Sequence, residues 1–125
     1  MKHPILIVED EYFIADDCAR FVEKAGYRVV GPFHNVDEAK ANLPDFLSGA
    51  VLDVNVDGIL VYQLLDELLK RNVPVAIYTG YDGNVIPARY SHLSIVTKPR
   101  ECRDVVELLC RQIERTAIGE TSRSL

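Results

Sequence analysis

Short apolar runs alternate with segments of helical spacing from one end of the chain to the other. Pro4 to Val8 is apolar without alternation, as a strand covered on both faces should be. From Glu11 to Ala25 the positions Ile14, Cys18, Phe21, Val22 and Ala25 fall on one helical face, and Gly26 is a natural stop. Tyr27 to Gly31 reads as a second strand that Gly31-Pro32 ends. Asn35, with Glu38 three residues on, has the form of a helix cap, opening a short helix that Pro44 closes. Gly49 to Val54 is the third strand, and Gly58 opens a helix whose apolar stripe is Val61, Leu64, Leu65, Leu68 and Leu69. Pro74 to Thr79 is the fourth strand, Asp82 to Leu93 is irregular with at most a short helix, and Ser94 to Thr97 is the fifth strand. Glu101 to about Ala117 is the final helix, with Cys102, Val105, Val106, Leu109 and Ile113 inward.

This alternation predicts an α/β fold: one doubly wound, five-stranded parallel sheet with helices on both faces. Residues 1–118 make up the domain, and the polar stretch 119–125 reads as a tail.

In an open parallel sheet, ligands gather beyond the carboxyl ends of the strands, where the strand order reverses. Glu9, Asp10 and Glu11 follow the first strand. Asp53 stands at the end of the third, with Asn55 and Asp57 behind it; Thr79 and Gly80 follow the fourth, and Lys98 and Pro99 the fifth. Taken singly, each has a plain reading: acids favour a helix N-terminus, Asp and Thr belong in turns, and lysines sit on surfaces. Taken together, Glu9, Asp10 and Asp53 crowd three carboxylates, which resist joint ionisation. A hard divalent cation, Mg²⁺ or Mn²⁺, removes the conflict and binds phosphate oxygens. A carboxylate such as Asp53 can attack phosphorus, while Lys98 and the Thr79 hydroxyl suit the phosphoryl oxygens.

Composition narrows the setting. A chain of 125 residues fits one domain that buries its own core. A net charge of −5 argues against a nucleic-acid surface. No apolar run approaches membrane-spanning length and no signal-peptide pattern opens the chain, so no membrane association is expected and a cytoplasmic location is the default. The cysteines Cys18, Cys102 and Cys110 are odd in number and widely spread, without metal-ligand spacing, and read as buried reduced thiols.

Four stretches, ILIVEDE (Ile5 to Glu11), AVLDVN (Ala50 to Asn55), IYTG (Ile77 to Gly80) and VTKP (Val96 to Pro99), together resemble a response-regulator receiver domain, along roughly Lys2 to Ala117. The resemblance implies the flavodoxin-like strand order 2-1-3-4-5. It implies that Asp53 is the phosphoacceptor and that Asp10, Asp53 and the backbone carbonyl of Asn55 hold the metal, with Glu9 acting mainly through metal-bound water. It gives Thr79 the switching role, makes Lys98 the partner of the phosphoryl oxygens, and makes the Lys98–Pro99 bond cis. The implied donor is a histidine kinase or histidine phosphotransfer protein. No effector domain follows, so output is expected through a downstream protein partner; a homodimer stays open. The chemistry expected is metal-assisted self-phosphorylation from a donor and slow self-dephosphorylation, not turnover catalysis.

The sequence departs from the family's pattern in places. Gly58 arrives early after Asp53, the usual Met-Pro stretch is missing, and Asp57 stands where a proline is common. Ile95 takes the place of an aromatic, and Arg100 that of a Phe. The shortened loop and the Tyr-Thr-Gly-Tyr run from Tyr78 resemble a subgroup of small bacterial receivers. Three other readings compete. Asp53 to Gly58 matches the opening of a calcium-binding EF-hand loop, but its twelfth position is Leu64 instead of a bidentate Glu. A haloacid-dehalogenase-type phosphatase wants an acid two residues after its nucleophile, where this chain has Asn55. A degenerate receiver, acting as a phosphorylation-independent protein-interaction module, is favoured by Ile95 and Arg100 and opposed by the acids, Thr79 and Lys98.

Overall fold

The computed structural model describes residues 3–80 and 86–124, with side chains as far as residue 116. The elements run β1 (Pro4–Val8), α1 (Tyr12–Lys24), β2 (Arg28–Phe33), α2 (Val36–Ala41), β3 (Gly49–Leu52), β4 (Asn55–Val56), β5 (Ile59–Leu60), α3 (Tyr62–Lys70), β6 (Val75–Thr79), β7 (Ser94–Thr97) and α4 (Cys102–Ser124). Five of the strands form one parallel sheet in the order β2-β1-β3-β6-β7. Counting main strands only, this is the expected order 2-1-3-4-5.

The unalternating apolar strands are explained by burial on both faces. Every residue of β1, β3 and β6 is buried. Leu6, Val8, Leu52, Val75 and Ile77 point to one face, where they meet Val36 and Ala39 of α2 and Leu64, Leu65 and Leu68 of α3. Ile5, Ile7, Val51, Ala76 and Val96 point to the other, against Cys18 and Val22 of α1 and Cys102, Val105, Val106 and Leu109 of α4. This period-two partition is what makes one sheet serve two cores. In α1 the buried stripe is Ala15, Cys18 and Val22, whereas Ala25 is exposed, because the helix stops at Lys24 before that position comes round to the core. Asn35 caps α2 as expected, its side chain accepting the Glu38 N–H at 2.8 Å.

Several boundaries differ from the expected ones. Gly31-Pro32 does not end β2: the strand continues to Phe33 through a register shift opposite Leu6 and Val8, which Gly31 accommodates at φ 103°. The Gly31–Pro32 bond is cis, as is Lys98–Pro99. No helix opens at Gly58. Asn55–Val56 and Ile59–Leu60 instead pair as a small antiparallel hairpin, and α3 starts at Tyr62. The two turn residues, Asp57 at φ 52° and Gly58 at φ 83°, have the paired positive φ of a tight hairpin turn, for which Asp-Gly is a preferred pair. Helix α4 runs to Ser124, past Ala117, since Gly119 weakens a helix without terminating it and no proline follows.

Part of the irregular segment, residues 81–85, lies outside the described residues; beyond it a 3₁₀ turn spans Ala88–Tyr90. Tyr90 is buried and stacks on Tyr62 at 5.3 Å, its hydroxyl donating to Asp66 Oδ1 at 2.5 Å and accepting from Arg89 at 2.7 Å. No helix among the described residues is long and apolar enough to cross a membrane.

Candidate functional site

Asp53 follows the last residue of β3, beside the end of β1, because the two strands pair in parallel with Val8 opposite Leu52. Its N–H donates to the Val8 carbonyl at 3.1 Å, which extends the ladder by one step and fixes the carboxylate next to Glu9 and Asp10. One carboxylate oxygen from each of Glu9, Asp10 and Asp53 lies within 4.8 Å of the others, the one such potential metal-holding group among the described residues. Glu9 and Asp53 are buried. Three acids from two loops therefore do meet.

Lys98 enters from the end of β7. Its ammonium lies 2.8 Å from Glu9 Oε1, 3.0 Å from Asp53 Oδ2 and 3.1 Å from Glu11 Oε2, and it sits 5.6 Å from the centre of the Tyr78 ring. Its backbone is set by the β6–β7 ladder, the Lys98 N–H donating to the Thr79 carbonyl at 2.8 Å. Thr79 itself closes β6 and is buried, one strand over from Asp53. Asn55 opens the hairpin, and its side-chain oxygen accepts the Gly58 N–H at 2.9 Å.

The electrostatics follow from this packing. Burial dominates at Glu9 and lifts its carboxyl to about 7; Lys98 pulls it down and the charge of Asp53 pushes it further up. At Lys98, burial opposes the charge. Hydrogen bonds to Glu9 and Asp53 and their charges outweigh that, so the ammonium keeps its proton above the ordinary lysine range. One lysine facing a cluster of four carboxylates leaves the pocket short of positive charge. The donors are all hard oxygens, which is the set that Mg²⁺ and Mn²⁺ take; the residues fit a divalent cation.

Three supporting contacts were not read from the sequence. The Glu9 carbonyl accepts from His34 Nδ1 at 2.9 Å, so that nitrogen carries the proton, and His34 in turn packs on Tyr12 at 4.0 Å. Asp10 Oδ2 accepts the Asp57 N–H at 2.9 Å, tying the hairpin turn to the acid loop. Glu11, which follows Glu9 and Asp10 in sequence, joins the ring around Lys98. The Asp-Gly turn was the available signal for the second; for His34, nothing in its local sequence points to a strand-end partner. The EF-hand reading fails here, because the segment from Asp53 to Gly58 follows a strand and folds as a hairpin.

Solved structures align with the chain over nearly all of its length. SdrG from Sphingomonas melonis Fr1 is 29% identical, with 90% of this chain and 96% of that one covered and a TM-score of 0.75. The response regulator PhyR from Brucella abortus is 26% identical with a TM-score of 0.80; the match covers 99% of this chain and 52% of PhyR, so the chain spans about half of that protein. A CheY-like response regulator receiver domain protein from Methanospirillum hungatei JF-1 is 22% identical, covering 95% and 99%, with a TM-score of 0.78. No protein-family model and no curated protein matches the chain. The strand order, the pocket at the strand ends and these likenesses give the class: the chain has the fold of response-regulator receiver domains.

Proposed function

We propose that the chain is a phosphoacceptor in two-component signalling, taking a phosphoryl group on Asp53 from a histidine kinase or histidine phosphotransfer protein. The observation that carries this is the meeting of Glu9, Asp10 and Asp53 within 4.8 Å, with Lys98 3.0 Å from Asp53. Asp10, Asp53 and the Asn55 carbonyl would hold Mg²⁺ or Mn²⁺, with Glu9 acting through water. When bound, the cation neutralises charge on the phosphoryl oxygens. An Asp53 oxygen attacks phosphorus, the bond to the donor nitrogen breaks, and the donor imidazole leaves with a proton. Lys98 turns from the free carboxylate to the new phosphoryl oxygens, and the Thr79 hydroxyl settles on them from the β6 side.

Persistence of the acyl phosphate fits the same pocket. Phosphatases of the haloacid-dehalogenase type place their general acid–base two residues after the nucleophile, and Asn55, which stands there, cannot accept a proton at neutral pH. The chain is accordingly a slow self-dephosphorylator and a signal carrier, not an enzyme with turnover. A solved structure it resembles is described as a response regulator, which supports a signalling role; output through a second protein, in the cytoplasm, is part of the same proposal.

Incubation with a small acyl-phosphate donor and Mg²⁺, followed by intact-mass measurement, tests the reading. A phosphate adduct on the wild type that is lost in Asp53→Asn is expected. A wild type that stays unmodified with both that donor and a competent kinase would overturn the proposal and favour the phosphorylation-independent module.

A further inference from the structure

The α1–α4 side of the sheet carries chemistry that the acid pocket does not use. Cys18 lies in the middle of α1 and Cys102 opens α4, and both are buried in one apolar core with Ile5, Ile7, Val51 and Tyr78. The Cys102 thiol donates to the Ile14 carbonyl at 3.5 Å. In α1 that carbonyl also receives the Cys18 N–H four residues on, and the Cβ of Cys18 leans back toward the same turn. The two thiols therefore face the same turn of α1 within one buried cluster.

Their access to solvent differs. Cys18 is 1% exposed and Cys102 6%, and of the two only Cys102 lines an open groove of about 670 Å³, beside Ile14, Phe21, Tyr78 and Pro99. We propose that Cys102 and Cys18 are a peroxide-responsive pair that closes into a reversible disulfide joining α1 to α4. The Cys102 thiolate attacks one oxygen of a hydroperoxide, the O–O bond breaks, and the departing oxygen takes a proton, leaving Cys102 as a sulfenic acid. The Cys18 sulfur then displaces that hydroxyl as water, to which its own proton goes, and the S–S bond forms. Two thiols lose two electrons and one peroxide gains them; a dithiol reductant reverses the step.

The division of roles agrees with the surroundings of each sulfur. The hydrogen bond from Cys18 holds Cys102 below the ordinary thiol range against the effect of burial, while the same contact and burial push Cys18 up. The more accessible sulfur is thus also the better nucleophile. The groove beside Cys102 also borders Glu11 and Lys98, but neither step of the thiol chemistry uses Asp53, so the pair stands whether or not Asp53 accepts phosphate.

Folded protein is treated with stoichiometric hydrogen peroxide, and its mass and free thiols are measured. The wild type is expected to lose about 2 Da, the mass of two hydrogens, and its free thiols to fall from three to one, both restored by dithiothreitol. Cys110→Ser retains the mass loss. Cys18→Ser lacks it and instead accumulates a dimedone-reactive sulfenic acid on Cys102. Peptide mapping of oxidised wild type, which needs no variant, should recover Cys18 linked to Cys102. Retention of three thiols by the treated wild type, or a linkage that includes Cys110, would overturn the proposal.

Discussion

At the end of β1 the chain passes in one residue from Val8, fully buried among hydrocarbons, to Glu9, almost as hidden but facing two other carboxylates. The same step separates Leu52, the last residue of β3, from Asp53. Behind the step, burial of apolar surface supplies the stability, at about 25 cal/mol per Å². Beyond it, burial works against the charges it encloses, and Lys98 holds them together. The backbone ladder is continuous across the boundary, so the sheet lends its rigidity to a pocket that could not hold itself.

If that contrast is right, Lys98→Ala is the most damaging change at the pocket. It leaves buried carboxylates without a counter-charge and should cost about 3–5 kcal/mol in urea unfolding. Added Mg²⁺ should recover much of the loss by taking the place of the ammonium. Leu52→Ala should cost about 2–5 kcal/mol through the cavity it leaves, and Mg²⁺ should recover none of it. Equal metal rescue of the two variants would break the distinction.

The pH dependence of the chelator-treated protein offers a finer measure. Folded Glu9 titrates near 7 against an ordinary 4.5, so across that interval the folded state holds a proton that the unfolded chain has released. The stabilisation is whole below 4.5 and is lost as pH rises through 7, a fall on the order of 1–3 kcal/mol that Glu9→Gln should flatten. Smallest of all, Asp10→Asn keeps an oxygen for the Asp57 N–H while removing a like charge. It should raise metal-free stability by about 1 kcal/mol and abolish the thermal upshift on adding Mg²⁺. An unchanged response to Mg²⁺ would remove Asp10 from the metal site.

Much of this was legible in the sequence because unalternating apolar strands announce a two-faced sheet, and such a sheet exposes its strand ends to ligand. Asp53 and Lys98 could be placed from that rule alone. The hairpin at residues 55–60 could not, since two-residue strands carry no periodicity and Gly58 before a leucine-rich stretch looks like a helix start. Gly31-Pro32 misled for a related reason: a strong turn pair can also sit inside an edge strand, where a bulge absorbs it. The meeting of Cys18 with Cys102 was out of reach, because it depends on how α1 and α4 cross, and spacing along the chain says nothing of that.

On the α2–α3 face of the β6–β7 margin, the described residues Ile86, Tyr90 and Leu93 pack as side chains from an irregular segment and a 3₁₀ turn. Single side chains resting on a sheet can be lifted without unwinding a ladder of main-chain bonds. The Asp66–Tyr90–Arg89 contacts tie that turn to α3, so a change that frees Tyr90 acts on this margin without touching the main-chain ladder.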